Sequence, residues 1–188
     1  MTRLVPAILI FALSAVVVRA DEPAKPLAKL AAGDAAPAFE FKDQSGKVIK
    51  LADLTAKGPV LVRLTCGCSG CDKELAYFQK LHDAYKDQGL QSLLIFKEPD
   101  AKMAKYAQDK KLNMLYAVDP KGVSWTVFQT KAMPANFLIE KGGTIVSIAT
   151  GCDPSGILAN KVSQQAAKTL GKKAVDVKKE VEEAKSGK

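Results

Sequence analysis

Apolar residues recur along this chain with two periods, and the switches between them divide it into elements. Phe39 and Phe41 alternate with polar neighbours, Asp43-Gln44-Ser45-Gly46 is turn chemistry, and Val48, Ile49 and Leu51 resume the pattern, which predicts a β-hairpin. Val60 to Leu64 is an apolar run that predicts a buried strand. After it, Leu75, Phe78, Leu81 and Tyr85 return at helical spacing, and Gly89 stops that helix. Leu90 to Phe96 predicts a second buried strand, and Ala101 to Lys111 a helix with Met103, Tyr106 and Ala107 on one face.

Strand, helix, strand with a core on both sides of the sheet implies parallel pairing. Leu115 to Val118 is a short extended piece, and a short helix is expected around Val123 to Phe128. Phe137-Leu138-Ile139 and Thr144 to Ile148, joined by Lys141-Gly142-Gly143, predict a terminal hairpin, followed by a last helix from about Ser155 to Leu170. Beyond Gly171, Ala174, Val177, Val181 and Ala184 fall at coiled-coil-like spacing. So few small residues argue for a frayed, solvated helix instead.

Composition changes the picture mainly at the ends. Met1-Thr2-Arg3 is a basic start, Leu4 to Val18 is almost wholly apolar, and Val18-Arg19-Ala20 leaves small residues at the −3 and −1 positions of a cut before Asp21. Residues 1–20 therefore read as a secretory signal peptide. An uncleaved membrane anchor is the alternative, but fifteen apolar residues interrupted by Pro6 fall short of the roughly 20 that span a bilayer. Residues 21–32, rich in Ala, Pro and Lys, read as a linker, residues 33–170 as the domain, and 171–188 as a Lys-rich tail. Cleavage would remove Arg3 and Arg19 and lower the net charge from +8 to +6. The basic tail has no aromatic residue, so a solvated surface is favoured and no nucleic-acid partner is expected. After cleavage no stable membrane insertion is expected, and the chain should be periplasmic or extracellular. In such a compartment its four cysteines can pair.

The densest chemistry is Cys66-Gly67-Cys68-Ser69-Gly70-Cys71, directly after the Val60 to Leu64 strand and at the start of a helix. A thiol attacks only as thiolate. Cys68, at the helix N-terminus, faces unpaired N–H groups and the positive end of the macrodipole, so it is the expected nucleophile. Cys71, one turn later, is the expected resolving thiol. Asp72 and Glu74 oppose this by adding negative charge to the same turn, and Lys73 partly compensates. Closing so short a ring constrains the unfolded chain by only about 2 kcal/mol, against about 4.5 kcal/mol for a bridge from Cys66 to Cys152, so the short bridge suits switching.

With hairpin, strand, Cys-x-x-Cys helix start, strand, helix, and Met133-Pro134 before a closing hairpin and helix, the chain resembles the thioredoxin fold. More narrowly, it resembles the exported redoxins of the TlpA-like, AhpC-TSA-type thiol-disulfide oxidoreductase family. The motifs are Gly33-Asp34-Ala35-Ala36-Pro37-Ala38-Phe39, Lys57-Gly58-Pro59-Val60-Leu61-Val62, Cys68-Ser69-Gly70-Cys71, and Met133-Pro134-Ala135-Asn136-Phe137 with Gly142-Gly143-Thr144-Ile145-Val146. Gly67 stands where the family usually has an aromatic residue, and Ser69-Gly70 where it usually has Gly-Pro. The resemblance implies an α/β fold with a central mixed sheet, an N-terminal β-hairpin extension and flanking helices. It also implies a cis Met133-Pro134 bond whose backbone binds an extended substrate segment. Dithiol or disulfide-bearing proteins and an electron donor or acceptor are the implied partners, with no cofactor.

Other residues leave alternatives open. Cys66 and Cys152 could form a structural disulfide, which is preferred, relay oxidising equivalents, or join the pair in binding zinc or copper as a metal-binding redoxin. A thiol peroxidase is suggested by Thr65, three residues before Cys68, but no arginine follows Arg63, so peroxide chemistry should be slow unless Arg63 or Lys131 substitutes. Glu98 is a candidate proton acceptor for Cys71, although a solvated carboxylate at a helix start is preferred because Pro99 and Asp100 follow. His82 is expected at the helix surface, and Trp125 either lines a substrate groove or packs.

Overall fold

The computed structural model describes residues 29–43 and 45–187; the predicted leader and most of the linker lie outside them. The predicted hairpin forms from β1 (Glu40–Lys42) and β2 (Val48–Lys50), antiparallel with Phe41 opposite Ile49. Leu51 does not extend it. Leu51 instead starts a helix the sequence pattern did not show, α1 (Leu51–Lys57), two turns long and too short to display a period, with Leu51 and Leu54 buried.

Then follow β3 (Val60–Thr65), α2 (Ser69–Tyr85), β4 (Gln91–Phe96), α3 (Asp100–Asp109), β5 (Leu115–Val118) and α4 (Val123–Val127). The chain closes with β6 (Ala135–Ile139), β7 (Ile145–Thr150), α5 (Ile157–Leu170) and α6 (Val177–Ser186). The central sheet has the order β5-β4-β3-β6-β7, with β3, β4 and β5 parallel and β6 and β7 antiparallel, the mixed α/β sheet expected. Strand side chains alternate between its faces. Leu61, Leu94, Phe96 and Leu138 meet α2, α3, α5 and α6 on one face. Val60, Val62, Leu64, Leu93, Ile95 and Phe137 meet the hairpin, α1 and α4 on the other.

That alternation places Arg63, in register with Leu61, under α2, where an apolar residue would ordinarily stand. The register also brings chemistry to one end of the sheet. Leu64 pairs with Ala135, Thr65 with Phe96, and Ala135 with Thr150. Cys66, Met133-Pro134, Glu98 and Cys152 therefore emerge at one edge.

Both ends of the described segment are more tightly held than expected. Gly33 N–H donates to the Ile145 carbonyl at 2.8 Å, and Leu30, within the predicted linker, already packs on the core. The helical tail is packed, not frayed: Val177 is 0% and Val181 8% exposed, against α2 and α5. Tyr85 explains why. Its buried hydroxyl accepts from Val175 N–H at 2.9 Å and donates to Ser163 Oγ at 3.1 Å, whose own hydroxyl donates to the Val175 carbonyl at 2.7 Å. Tyr85→Phe strands these groups and should lower stability by about 1–3 kcal/mol, read as a shifted urea midpoint.

Candidate functional site

The site is built where β3 runs into α2. Cys68 is the N-cap of α2, in extended conformation, so the first turn's free N–H groups point towards its sulfur. Cys68 is exposed, Cys71 is buried beneath it at 5% exposure, and Cys66 lies between these extremes. Cys66 Sγ is 2.9 Å from Cys68 Sγ and 3.3 Å from Cys71 Sγ, and the three sulfurs all lie within 4.8 Å of one another.

The sulfurs differ in acidity. A hydrogen bond from the Cys66 thiol, then the Cys71 backbone N–H, hold Cys68 below the ordinary thiol value in spite of some burial. Burial first, and the bond to Cys68 next, push Cys66 up to about 12. Cys152 is raised by burial and then by the Glu74 carboxylate and Cys71. It follows Gly151, just past β7, and lies outside the three-sulfur cluster, so the metal reading that gathers all four cysteines is not met. Its sulfur rests 3.0 Å from where a side chain on Gly70 would begin, so a larger residue there would have to push it aside. Cys66 turns to Cys68 and Cys71, and the four cysteines are free thiols in this structure.

The acids near the start of α2, Asp72 in its first turn and Glu74 in its second, do not act as expected. Glu74 is buried and ion-paired with Arg63 at 2.6 Å, and Asp72 is gripped by Lys110 at 2.8 Å and by the Tyr106 hydroxyl at 2.9 Å. Burial would raise Asp72, but those two donors outweigh it and hold the carboxyl below its ordinary value. Lys110 and Arg63, rather than the exposed Lys73, neutralise these two acids. Arg63 also donates to Asn136 Oδ1 at 2.8 Å and stacks 4.0 Å over the Phe78 ring, while Glu74 Oε1 accepts from Asp153 N–H at 2.7 Å. This network is absent from the expectations above. Its signal was a charged Arg63 and a polar Asn136 set opposite each other in two apolar strands.

Glu98 is not a solvated helix-start carboxylate. Pro99 caps α3, while Glu98 is half-buried with Oε1 accepting from Gly67 N–H at 2.7 Å and Oε2 buried without a partner. His82 is half-buried rather than on the surface, its Nδ1 3.1 Å from Ser92 Oγ, and burial lowers its pKa. Met133-Pro134 is cis. Met133 borders an open groove of about 580 Å³ with Lys97, Trp125, Thr126, Gln129 and Thr130. Trp125 both packs and lines that groove, 8% exposed with Nε1 donating to the Ala132 carbonyl at 3.0 Å.

A mixed thioredoxin-like sheet with thiols at the first turn of α2, at the same sheet edge as a cis proline, defines a thiol-disulfide oxidoreductase. Comparison with known proteins agrees. Residues 32–148 match the AhpC/TSA family, and the chain belongs to that family. It is 30% identical over 123 residues to the thiol-disulfide oxidoreductase ResA of Geobacillus kaustophilus, covering 65% of this chain and 71% of that one. A Chlorobium tepidum structure described as thiol:disulfide interchange protein DsbE superposes with a TM-score of 0.69 at 26% identity, over 76% of this chain and 99% of that one. The thioredoxin domain of a thiol-disulfide oxidoreductase from Bacteroides vulgatus gives 0.62 at 27% identity, over 73% and 99%.

Two outcomes follow from the charges. Glu74→Gln leaves Arg63 buried without its counter-charge and should cost about 3–5 kcal/mol in urea unfolding. Lys110→Ala frees the negative charge of Asp72 beside the first turn, and the inflection of Cys68 alkylation by iodoacetamide should move to higher pH.

Proposed function

We propose that this protein exchanges disulfides with protein substrates, Cys68 acting as nucleophile and Cys71 as resolving thiol, after export from the cytoplasm. The observation that carries the reading is Cys68: exposed, at the N-cap of α2, its sulfur accepting hydrogen bonds that favour the thiolate. In the reducing direction Cys68 attacks a substrate disulfide and expels one substrate thiolate. A second thiol, in the usual course Cys71, then attacks Cys68 Sγ and releases the other, leaving an oxidised protein and a reduced substrate.

The Met133-Pro134 backbone and the groove bordered by Met133 and Trp125 suit an extended peptide segment. Glu98 fixes the Cys66–Cys68 loop through Gly67, and its partnerless Oε2 is available to accept a proton from the thiols. Peroxide reduction is disfavoured, because Arg63, the only arginine among the described residues, is buried and committed to Glu74 and Asn136. The apolar leader supports export, and no described helix is long and apolar enough to cross a membrane. The electron donor or acceptor would be another redox protein or small thiol of that compartment.

Insulin reduction driven by dithiothreitol tests this. Cys68→Ser should fall to the rate of dithiothreitol alone, and full activity in that variant would refute the nucleophile. Because Cys68 is held below the ordinary thiol value of about 8.5, the wild-type rate should be lost as pH falls through that lowered pKa rather than at 8.5 itself.

A further inference from the structure

Cys66 has no role in the two-thiol cycle, yet its sulfur is in contact with both others. The distances favour exchange over a metal site. Three sulfurs around a zinc or copper ion with bonds of about 2.3 Å stand about 3.7–4.0 Å apart. The observed 2.9 and 3.3 Å are closer than that and need only a further approach to the roughly 2.05 Å of a disulfide. No histidine joins the cluster, since His82 is engaged with Ser92.

We propose that Cys66 is a third member of the exchange, so that the oxidised protein carries its disulfide as Cys66–Cys71 and keeps Cys68 free to attack again. This rests on Cys68 being the nucleophile. Once Cys68 is joined to a substrate sulfur it holds no charge, and the hydrogen bond from Cys66 is lost. Cys66 gives its proton to solvent and attacks Cys68 Sγ as the thiolate: a Cys66–Cys68 bond forms, the bond from Cys68 to the substrate breaks, and the departing substrate thiolate takes up a proton from solvent. Cys71 next attacks Cys66 Sγ, giving Cys66–Cys71, releasing Cys68 as thiolate and its own proton to solvent. The substrate disulfide has taken up two electrons, the protein has given up two, and the second step only moves the bond.

Leaving-group chemistry sets the resting place. The more acidic thiol leaves faster and is the better one to stand free, and Cys68 is the exposed sulfur with helix N–H groups to hold its charge while Cys66 is partly buried. An oxidised protein with a free nucleophile can form and release mixed disulfides without being reduced first, which adds disulfide isomerisation to reduction.

The experiment is sequential labelling. The full reduced protein is oxidised with one equivalent of glutathione disulfide, quenched in acid and blocked with N-ethylmaleimide, then reduced and treated with iodoacetamide. Trypsin, cutting after Arg63 and Lys73, isolates Leu64 to Lys73 with all three cysteines, and fragmentation locates each label. Most molecules should carry maleimide on Cys68 and carbamidomethyl on Cys66 and Cys71. Maleimide mainly on Cys66, or a cross-link from Cys66 to Cys152, overturns the inference while leaving the Cys68–Cys71 reading intact if insulin is still reduced. Failure of Cys68 to form any glutathione adduct overturns both, as does bound zinc or copper that shields all three thiols. As a second measure, the glutathione adduct on Cys68 in Cys71→Ser should decay roughly tenfold faster than in the Cys66→Ser, Cys71→Ser double variant, because only the former keeps a neighbouring attacker. Equal decay overturns the role of Cys66.

Discussion

The buried pair of Arg63 and Glu74 is the constraint on which the thiol end of the molecule depends. A charge in an apolar strand is tolerable only when its partners are fixed, because desolvation is repaid only by close, well-aligned contacts. Arg63 is supplied on several sides: Glu74 from α2, Asn136 from β6 and the Phe78 face above. Glu74 passes the restraint on to the Asp153 backbone, beside Cys152. One guanidinium thus registers strand, helix, neighbouring strand and the loop after β7 against each other. It also neutralises, one turn into α2, a negative charge that would oppose a thiolate.

The same logic accounts for the rest of the turn. Asp72 could have made the helix start hostile to an anion, but α3 brings Tyr106 and Lys110 onto it. The helix therefore keeps its acids, useful near an N-terminus, without their charge competing at the sulfurs. Glycines clear the space around them: Gly70 admits Cys152, and Gly67 presents its N–H to Glu98.

Much of this could be read from the chain before the fold was seen, and the failures share a cause. The Val60 to Leu64 and Leu90 to Phe96 runs, the helix through Leu75, Phe78, Leu81 and Tyr85, and the placing of Cys68 at its start follow from local pattern. What pattern cannot supply is the partner. The spacing of Val177 and Val181 shows a helix face, but only Tyr85 and Ser163, brought from elsewhere, show that it is covered. The run from Val60 to Leu64 shows a buried strand but not what lets it hold Arg63, because the counter-charge lies eleven residues on and the amide partner seventy-three. Lys73 was the obvious neutraliser by proximity in sequence, yet it is exposed, and Lys110 does that work from another helix. Leu51 does not announce its helix, because one apolar residue beside a hairpin carries no period of its own.

The attachment of Gly33 to Ile145 has a geometric consequence. Ile145 begins β7, and the sulfurs gather beyond its other end, past Thr150, a strand length of about 20 Å away. Gly33 is thus tied at the end of β7, the pole opposite the domain's reactive groups. Were its amino-terminal side held at a lipid surface, the thiols would look outward into the surrounding solution, open to large folded clients; released, the same pole would be free of any crowding by the approach segment.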